Sequence, residues 1–432
     1  MAETANLLGR GLINAESQSA ASPSERAECC VVFSSMPIFD HSKNIIGREL
    51  YGCNLGDEYS KNAPGIFNKN IVDEIKSIAE RHGRLEFISV DIPLEHLTDD
   101  VLDMLPLNLL VLPIHSKTKP DDTFSAKVKF LKEKGVRFAL KGCQHDTNIG
   151  AFGPLCNFIS VNMSEAHGLN LNIVKLLKKH GFKVIAGSLN DWHTFSAALD
   201  AGFDCFHGQF FAKHDATKAI KAKSLPQVKL KLMKMFSGTT DSVDIEELSK
   251  TISLDAALSV KLLKLVNSSA FSLRYPVDSV RQAVQLVGLD QLKKWVTVAL
   301  LSEQDGSDKG LEVMFLALHR ALFLNLLADT GALNCDGELA FMLGLLSCAD
   351  AIFGVEMSII VDDLKLSDSL KSALNREEGG EFTWIINMLE YVDQNMVDES
   401  VAMMARYDID RLLAAKLYMN SSRIAKSLLR DV

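Results

Sequence analysis

The eight cysteines include no CxxC pair, and the two that touch, Cys29 and Cys30, are adjacent, which is poor geometry for an ordinary disulfide. A disulfide framework is therefore not expected, and a reduced, cytoplasmic compartment is. The N-terminus lacks an apolar run: its first residues mix Glu, Asn, Arg and Ser, far from the roughly 18 apolar residues a spanning helix needs. Neither a signal peptide nor a membrane segment is expected there. A surplus of positive charge is missing too, since 46 Lys and Arg against 55 Asp and Glu leave a net charge of -9. That argues against a protein that coats nucleic acid. The one lysine-rich stretch, Lys213, Lys218, Lys221, Lys223, Lys229, Lys231 and Lys234, has no aromatics interleaved for base stacking. It reads as a solvated face, with Leu225, Val228, Leu232 and Met235 turned inward, or as a docking strip for an acidic partner protein.

What is present is a chain of 432 residues, 47% hydrophobic and 23% charged, a soluble composition long enough for two domains. Residues 1–28, rich in Ala, Ser and Glu with no lasting apolar face, predict a mobile tail. VVFSS from Val31 reads as a strand, PIFDHSKN as a turn and IIGRELYG as a second strand. Helix NIVDEIKSIAERHG then precedes strand EFISVDI, EHLTDDVLDML precedes NLLVLPI, and DTFSAKVKFLKEKG precedes VRFAL. NFISV, KVIAG after a helix at Asn172 to His180, and DCFHG after WHTFSAALDAG bring the strands to eight. Short apolar strands alternating with amphipathic helices predict an α/β fold, a largely parallel sheet closed into a (β/α)8-like barrel.

Beyond a lysine-rich linker at 216–225 the pattern becomes all helical. Between Asp255 and Leu301 three helices can be read. The first has Asp255 as N-cap and Leu258, Leu262, Leu265 and Val266 on one face. The second follows Pro276, with Asp278 as cap, a stripe of Val280, Ala283, Val284 and Val287, and Gly288 as its stop. The third carries Leu292, Trp295, Val296, Ala299 and Leu300. A last amphipathic helix, Ile409 to Val432, is expected to turn Leu412, Leu413, Leu417, Ile424 and Leu428 inward.

LLKLVNSSAF at Leu262 to Phe271, SVRQAVQLVGLDQLKKWV at Ser279 to Val296 and AFMLGLLSCADAIFG at Ala340 to Gly354 resemble the HDOD domain, a bacterial signalling module related to the HD phosphohydrolases. MPIFD, RELYG, FALKGCQHD, GFKVIAG and AGFDCFHGQFFAK resemble, more loosely, pieces of the EAL domain, the cyclic di-GMP phosphodiesterase fold. Together they are similar to the EAL-HDOD family, implying a degenerate EAL-like barrel at 29–215 and a helical HDOD domain at 226–432.

The resemblance implies a site at the C-terminal ends of the barrel strands, where two-metal phosphodiester hydrolysis needs converging carboxylates. Glu49 matches the glutamate of the EAL signature, and Asp91 stands at an asparagine ligand's position. At the other positions Pro113 replaces a glutamate, Lys141 and Gly142 replace paired aspartates, Ser160 and Asn162 replace a lysine and an aspartate, and Gly187 and Asn190 replace two glutamates. Among nucleotide contacts Met36 replaces a glutamine, Cys53 a phosphate-pairing arginine and His207 a glutamine. Glu49 then reads as a residual carboxylate at the barrel rim. In the HDOD half Ser347 and Cys348 stand where related enzymes carry a metal-gripping His-Asp pair, His319 reads as a core histidine, and Asp350 as a residue at a helix end. No catalytic residue, metal or cofactor is expected, and the chain is expected not to be an enzyme.

The remaining signals read as structure. Cys29, Cys30, Cys53, Cys143, Cys156 and Cys205 are expected to be small apolar side chains near strands, and Trp192, Trp295 and Trp384 packing anchors. The resemblance implies a non-catalytic scaffold in cyclic di-GMP control of motility or biofilm formation, acting on signalling proteins of the same pathway such as a diguanylate cyclase, a phosphodiesterase or a histidine kinase. The alternatives are a sensor that binds cyclic di-GMP without cleaving it, and an active phosphodiesterase.

Overall fold

The structure is a computed structural model that describes residues 31–54, 69–81, 84–118, 121–142, 152–163, 172–215, 231–232, 235, 244–254, 262, 277, 279–288, 292, 307–364 and 366–430. The expected tail, the linker, most of the first and third helices of the 255–301 stretch, Cys29, Cys30, Cys143 and Trp295 lie outside these residues. The chain divides into two compact units. One holds a barrel and the other a set of helices.

The barrel opens with a hairpin. β1 (Val31–Phe39) and β2 (Ile45–Asn54) pair antiparallel with Met36 opposite Glu49. The strand runs four residues further than VVFSS alone suggests, because the turn needs only residues 40–44. Asp40 makes it: its Oδ1 accepts from the Ser42 and Asn44 amides at 2.8 and 2.9 Å, and Lys43 takes a φ of 67°. β3 (Phe87–Val90), β4 (Leu110–His115), β5 (Arg137–Lys141), β6 (Phe158–Asn162), β7 (Lys183–Gly187) and β8 (Cys205–His207) follow in parallel, each beside its predecessor. β8 returns antiparallel to β1, Ile38 beside His207 and Phe39 beside Phe206, and closes the barrel. The predicted eight-stranded closed barrel is thus observed, hairpin included.

Outside run α1 (Lys69–Arg81), α2 (Asp99–Leu102), α3 (Asp122–Glu133), α4 (Asn172–Lys179) and α5 (Trp192–Asp200). The EHLTDDVLDML segment yields only α2 and a single 3-10 turn at Leu94–His96, since Pro93 stands before that turn and the backbone breaks again before Thr98. Asp121 and Asp191 cap α3 and α5, accepting from the Phe124 and Thr194 amides at 2.7 Å each. Trp192 is the anchor expected of it: buried, edge-on to Phe210, with its indole N–H donating to the Lys213 carbonyl at 2.8 Å.

Inside, the strands contribute Ile38, Phe87, Val111, Ala139, Phe158, Ile185 and Cys205 to one apolar layer, with Ile46 from β2 packed against it. Phe87 and Phe158 fill its centre with ring centroids 4.9 Å apart. Burying each such ring stabilises the fold by about 1.5–3 kcal/mol. Gly47 makes room, because a Cβ there would lie 2.8 Å from the Phe87 ring. Side chains alternate along a strand, so two residues beyond this layer, toward the C-terminal mouth, stand Pro113, Lys141, Ser160, Gly187 and His207. Glu49 follows Gly47 by the same step, and Met36 does so from the opposite direction on β1.

The other unit contains α6 (Ile245–Ser253), α7 (Val280–Val287), α8 (Asp308–Asp329), α9 (Gly337–Leu346), α10 (Ala349–Phe353), α11 (Met357–Leu364), α12 (Asp368–Leu374), α13 (Thr383–Asp393), α14 (Val397–Arg406) and α15 (Arg411–Arg430). α7 is the second helix read from the sequence. Its N-cap is Ser279, whose hydroxyl accepts from the Gln282 amide at 3.2 Å, and Asp278 is outside the described residues. Gly288 ends it with a φ of 78°, as expected.

α8 is long and apolar enough to cross a membrane by length and composition alone, yet 78% of its apolar window is buried inside the unit. It is a core helix. Gly344 of α9 lies on it so closely that a Cβ would sit 2.6 Å from the Arg320 carbonyl carbon and the Ala321 nitrogen. α15 also packs on α8, with Ile424 buried as expected but Leu412, Leu413 and Leu417 not carrying the contact. Ala414, Ala415, Tyr418, Ser421, Ile424 and Ala425 are buried while Leu412, Leu413 and Leu417 are only half-buried. Small residues let the helix axes approach, and Tyr418 then fills the space between Phe323 and His319.

Candidate functional site

The barrel mouth gathers Glu49 and Tyr51 from β2, Lys141 from β5 and His207 from β8. Lys141 Nζ makes an ion pair with Glu49 Oε1. On the other carboxylate oxygen, His207 Nε2 lies 3.4 Å from Glu49 Oε2, and it is 3.1 Å from the Tyr51 hydroxyl. Glu49 is only 8% exposed. The expectation of a rim carboxylate is thereby corrected: the carboxylate turns into the barrel because it shares the face of Gly47, and a lysine three strands further along the sequence compensates its charge.

Each group's proton affinity follows from this arrangement. Burial pushes the Glu49 carboxyl up, but the charges of Lys141 and His207 and the hydrogen bonds from Lys141 and Tyr51 outweigh it and leave it below its ordinary value. Burial and the neighbouring Glu49 push the Tyr51 phenol well above its own. Burial pulls His207 down, Glu49 opposes this, Lys141 adds to it, and the net is a lowered value that favours the neutral ring near pH 7.

Backbone contacts fix these side chains. The Ser116 amide donates to the Lys141 carbonyl at 2.9 Å and its hydroxyl to the Gly142 carbonyl at 2.7 Å, so the β4 loop holds the end of β5 while Gly142 turns away with a φ of 75°. His207 is held likewise: the Leu189 amide donates to its carbonyl at 3.1 Å. Gly208 then passes so near that a Cβ would lie 2.3 Å from the Leu189 oxygen. That contact explains the glycine of the FHG turn.

The other positions do not join the cluster's charged groups. Asp91 lies at the exposed rim, 3.1 Å from His115 Nε2, with both side chains more than half exposed. Met36 is buried opposite Glu49, Pro113 pairs with Ala139, and Asn162 pairs with Gly187. Ser160 and Gly187 are close neighbours, a Cβ on Gly187 meeting Ser160 Oγ at 3.6 Å. Asn190 is exposed beyond β7. Cys53 is opposite Val32 in the hairpin. Sequence reading missed Tyr51, although its place two residues beyond Glu49 on one strand face was the available signal.

Among the described residues no group of three or more His, Cys, Asp or Glu could hold a metal ion. A pair of divalent cations needs several hard oxygen ligands, and at this mouth the buried carboxylate already carries a protein ammonium. The described residues of the mouth do not by themselves fit a two-metal centre.

In the helical unit Ser347 and Cys348 meet a buried arginine. Arg320, 3% exposed on α8, donates from Nη1 to Ser347 Oγ at 2.9 Å and approaches Cys348 Sγ at 3.4 Å. Ser347 Oγ donates in turn to the Gly344 carbonyl at 2.6 Å. Arg320 was also missed, and its signal was a cation in the middle of the largely apolar stretch VMFLALHRALFL of a 22-residue helix. His319 is the core histidine expected: its Nε2 donates to the Tyr418 carbonyl at 2.9 Å and its ring stacks on Phe315. Asp350 stands in the first turn of α10.

The HDOD domain family matches residues 223–356. The cyclic di-GMP phosphodiesterase CdgJ of Vibrio cholerae serotype O1 is 28% identical over 280 residues, 64% of this chain and 64% of that protein. An uncharacterized protein of Bacillus subtilis, YuxH, is 25% identical over 223 residues, 50% of this chain and 53% of that one. The chain thus spans less than two thirds of either relative. Among solved structures, the Bacillus subtilis YkuI protein, with an EAL domain and in complex with cyclic di-GMP and calcium, superposes with a TM-score of 0.35 at 15% identity, over 61% of this chain and 73% of that one. The expectation that the chain is not an enzyme is overturned by the similarity to CdgJ. A relative aligned across 280 residues bears a phosphodiesterase's name, and replaced carboxylates at matched positions do not establish a lost reaction.

Proposed function

We propose that this chain, which carries an HDOD domain behind an eight-stranded (β/α) barrel, works in cyclic di-GMP signalling, with the dinucleotide received at the barrel mouth. The observation that supports this reading is the convergence of Lys141, His207, Tyr51 and Glu49 from three strands on one inner face. Such a cluster offers a phosphodiester an ammonium and a phenolic hydroxyl at one end of a closed barrel, where ligands of this architecture bind. The relative's name makes hydrolysis the reaction to assay first. Calorimetric titration with cyclic di-GMP, followed by analysis of the same samples for the linear dinucleotide, tests the proposal. Saturable heat supports the ligand and appearance of the linear product assigns the reaction. The absence of both heat and product would overturn it.

A regulatory role exercised through protein contacts, in motility or biofilm formation and in the cytoplasm, belongs to the same proposal. The HDOD match supports it, and co-purification at near-physiological salt tests it.

A further inference from the structure

The disagreement between this mouth and a two-metal centre carries a consequence. Glu49 is the buried carboxylate of the inner face, and its charge is compensated from within the protein, by Lys141. Lys141 is not a stray surface lysine that happens to reach inward. It stands two residues beyond Ala139 of the apolar layer, so the strand's alternation aims it inward, and its carbonyl is pinned by the Ser116 amide. β5 pairs with β6 through Ala139 beside Phe158 and Leu140 beside Ile159. The next step of that register brings Lys141 alongside Ser160, the residue that replaces the family's lysine. The ammonium therefore enters the mouth from the neighbouring strand. A divalent ion bound to Glu49 would have to lie within one bond length of the same carboxylate, beside the ammonium that is already paired with it.

We infer that Lys141 is the resident cation of this mouth, a tethered charge that takes the place of a divalent ion on Glu49, so that the site accepts a phosphodiester anion without metal. The identity of that anion rests on the cyclic di-GMP reading. The exclusion of metal does not, and the test is chosen accordingly.

The experiment follows the imidazole resonances of His207, identified by their loss in His207→Gln, in the full chain without nucleotide. Mn²⁺ broadens resonances of nearby nuclei. In the wild-type chain the His207 signals stay sharp as Mn²⁺ is added. In Lys141→Asp, which removes the ammonium and adds a second carboxylate, they broaden at a Mn²⁺ concentration lower by about tenfold or more. Equal broadening in both chains would overturn the inference, because it would place the ion beside Glu49 despite Lys141. A second variant, Lys141→Met, keeps much of the side chain's apolar stem and needs no metal. The His207 titration moves upward in it if Lys141 is the charge facing the ring, alongside Glu49 and Tyr51. An unmoved titration would also overturn the inference. Failure of cyclic di-GMP to bind leaves both readouts intact, so the two proposals fail separately.

Discussion

Arg320 and Ser347 are 27 residues apart in sequence and joined by a buried hydrogen bond of 2.9 Å from Nη1 to Oγ. The guanidinium binds the end of α9 to α8. Replacing Arg320 with Met keeps an apolar stem but removes the charged donor, and should cost about 1.5–3 kcal/mol of stability. Urea unfolding measures it. Arg320→Lys should recover only part of the loss, since an ammonium does not reproduce the planar fork.

Gly344 tests the same helix pair from the other side. Its missing Cβ would meet the Arg320 and Ala321 backbone at 2.6 Å, and backbone in a core helix does not give way as a flexible side chain would. Gly344→Ala should therefore destabilise by about 1–3 kcal/mol despite the better helix propensity of alanine. Thermal melting decides: an unchanged or raised midpoint would mean that the helices separate freely.

The barrel mouth should make stability depend on pH in a defined direction. His207 has a lowered proton affinity in the folded chain, so below its ordinary 6.5 the unfolded state binds the extra proton. Stability from keeping the ring neutral is full above that value and falls as the pH drops toward the folded value, by at most about 1.4 kcal/mol per pH unit. Glu49, also lowered, adds a second loss below its ordinary 4.5. In His207→Gln the first loss should vanish and the second remain. Denaturant unfolding across roughly pH 2 to 8, which reaches below the Glu49 window as well as above that of His207, reads the difference.

Cys205 and Cys335 should react slowly with alkylating agents. Burial pushes the Cys205 thiol up to about 12. Burial, then Asp336 and Glu381, push that of Cys335 up to about 11. Thiolate is the attacking form, so at pH 8 both should label more slowly than a free thiol under the same conditions. Mass spectrometry of timed iodoacetamide reactions checks this, and rapid labelling of Cys205 would mean that the barrel opens.

The barrel was legible because its period-2 and helical-period segments are short and well punctuated, and the alternation that put Ile38, Phe87 and Ala139 inside also fixed which positions reach the mouth. The substitutions at those positions could be read one at a time. Their meeting could not. That Lys141 closes on Glu49 depends on strands 92 residues apart, and nothing in the local sequence of either announces the other. The same reason hid Arg320. In the helical unit, hydrophobicity ranked the leucines of α15 above its alanines, whereas packing against a thick core helix rewards small side chains.

The seam between β1 and β8 is short, two paired positions, and one of them is His207. β1 and β2 pair as a local hairpin, whereas β1 and β8 pair across nearly the whole length of the barrel sequence, the contact with the larger loop-closure cost. His207 thus sits at the closure of the barrel as well as in the polar cluster of its mouth. Amide exchange at Phe206 and His207 would report the same opening that dissolves the cluster, so the mouth is a record of whether the cylinder is shut.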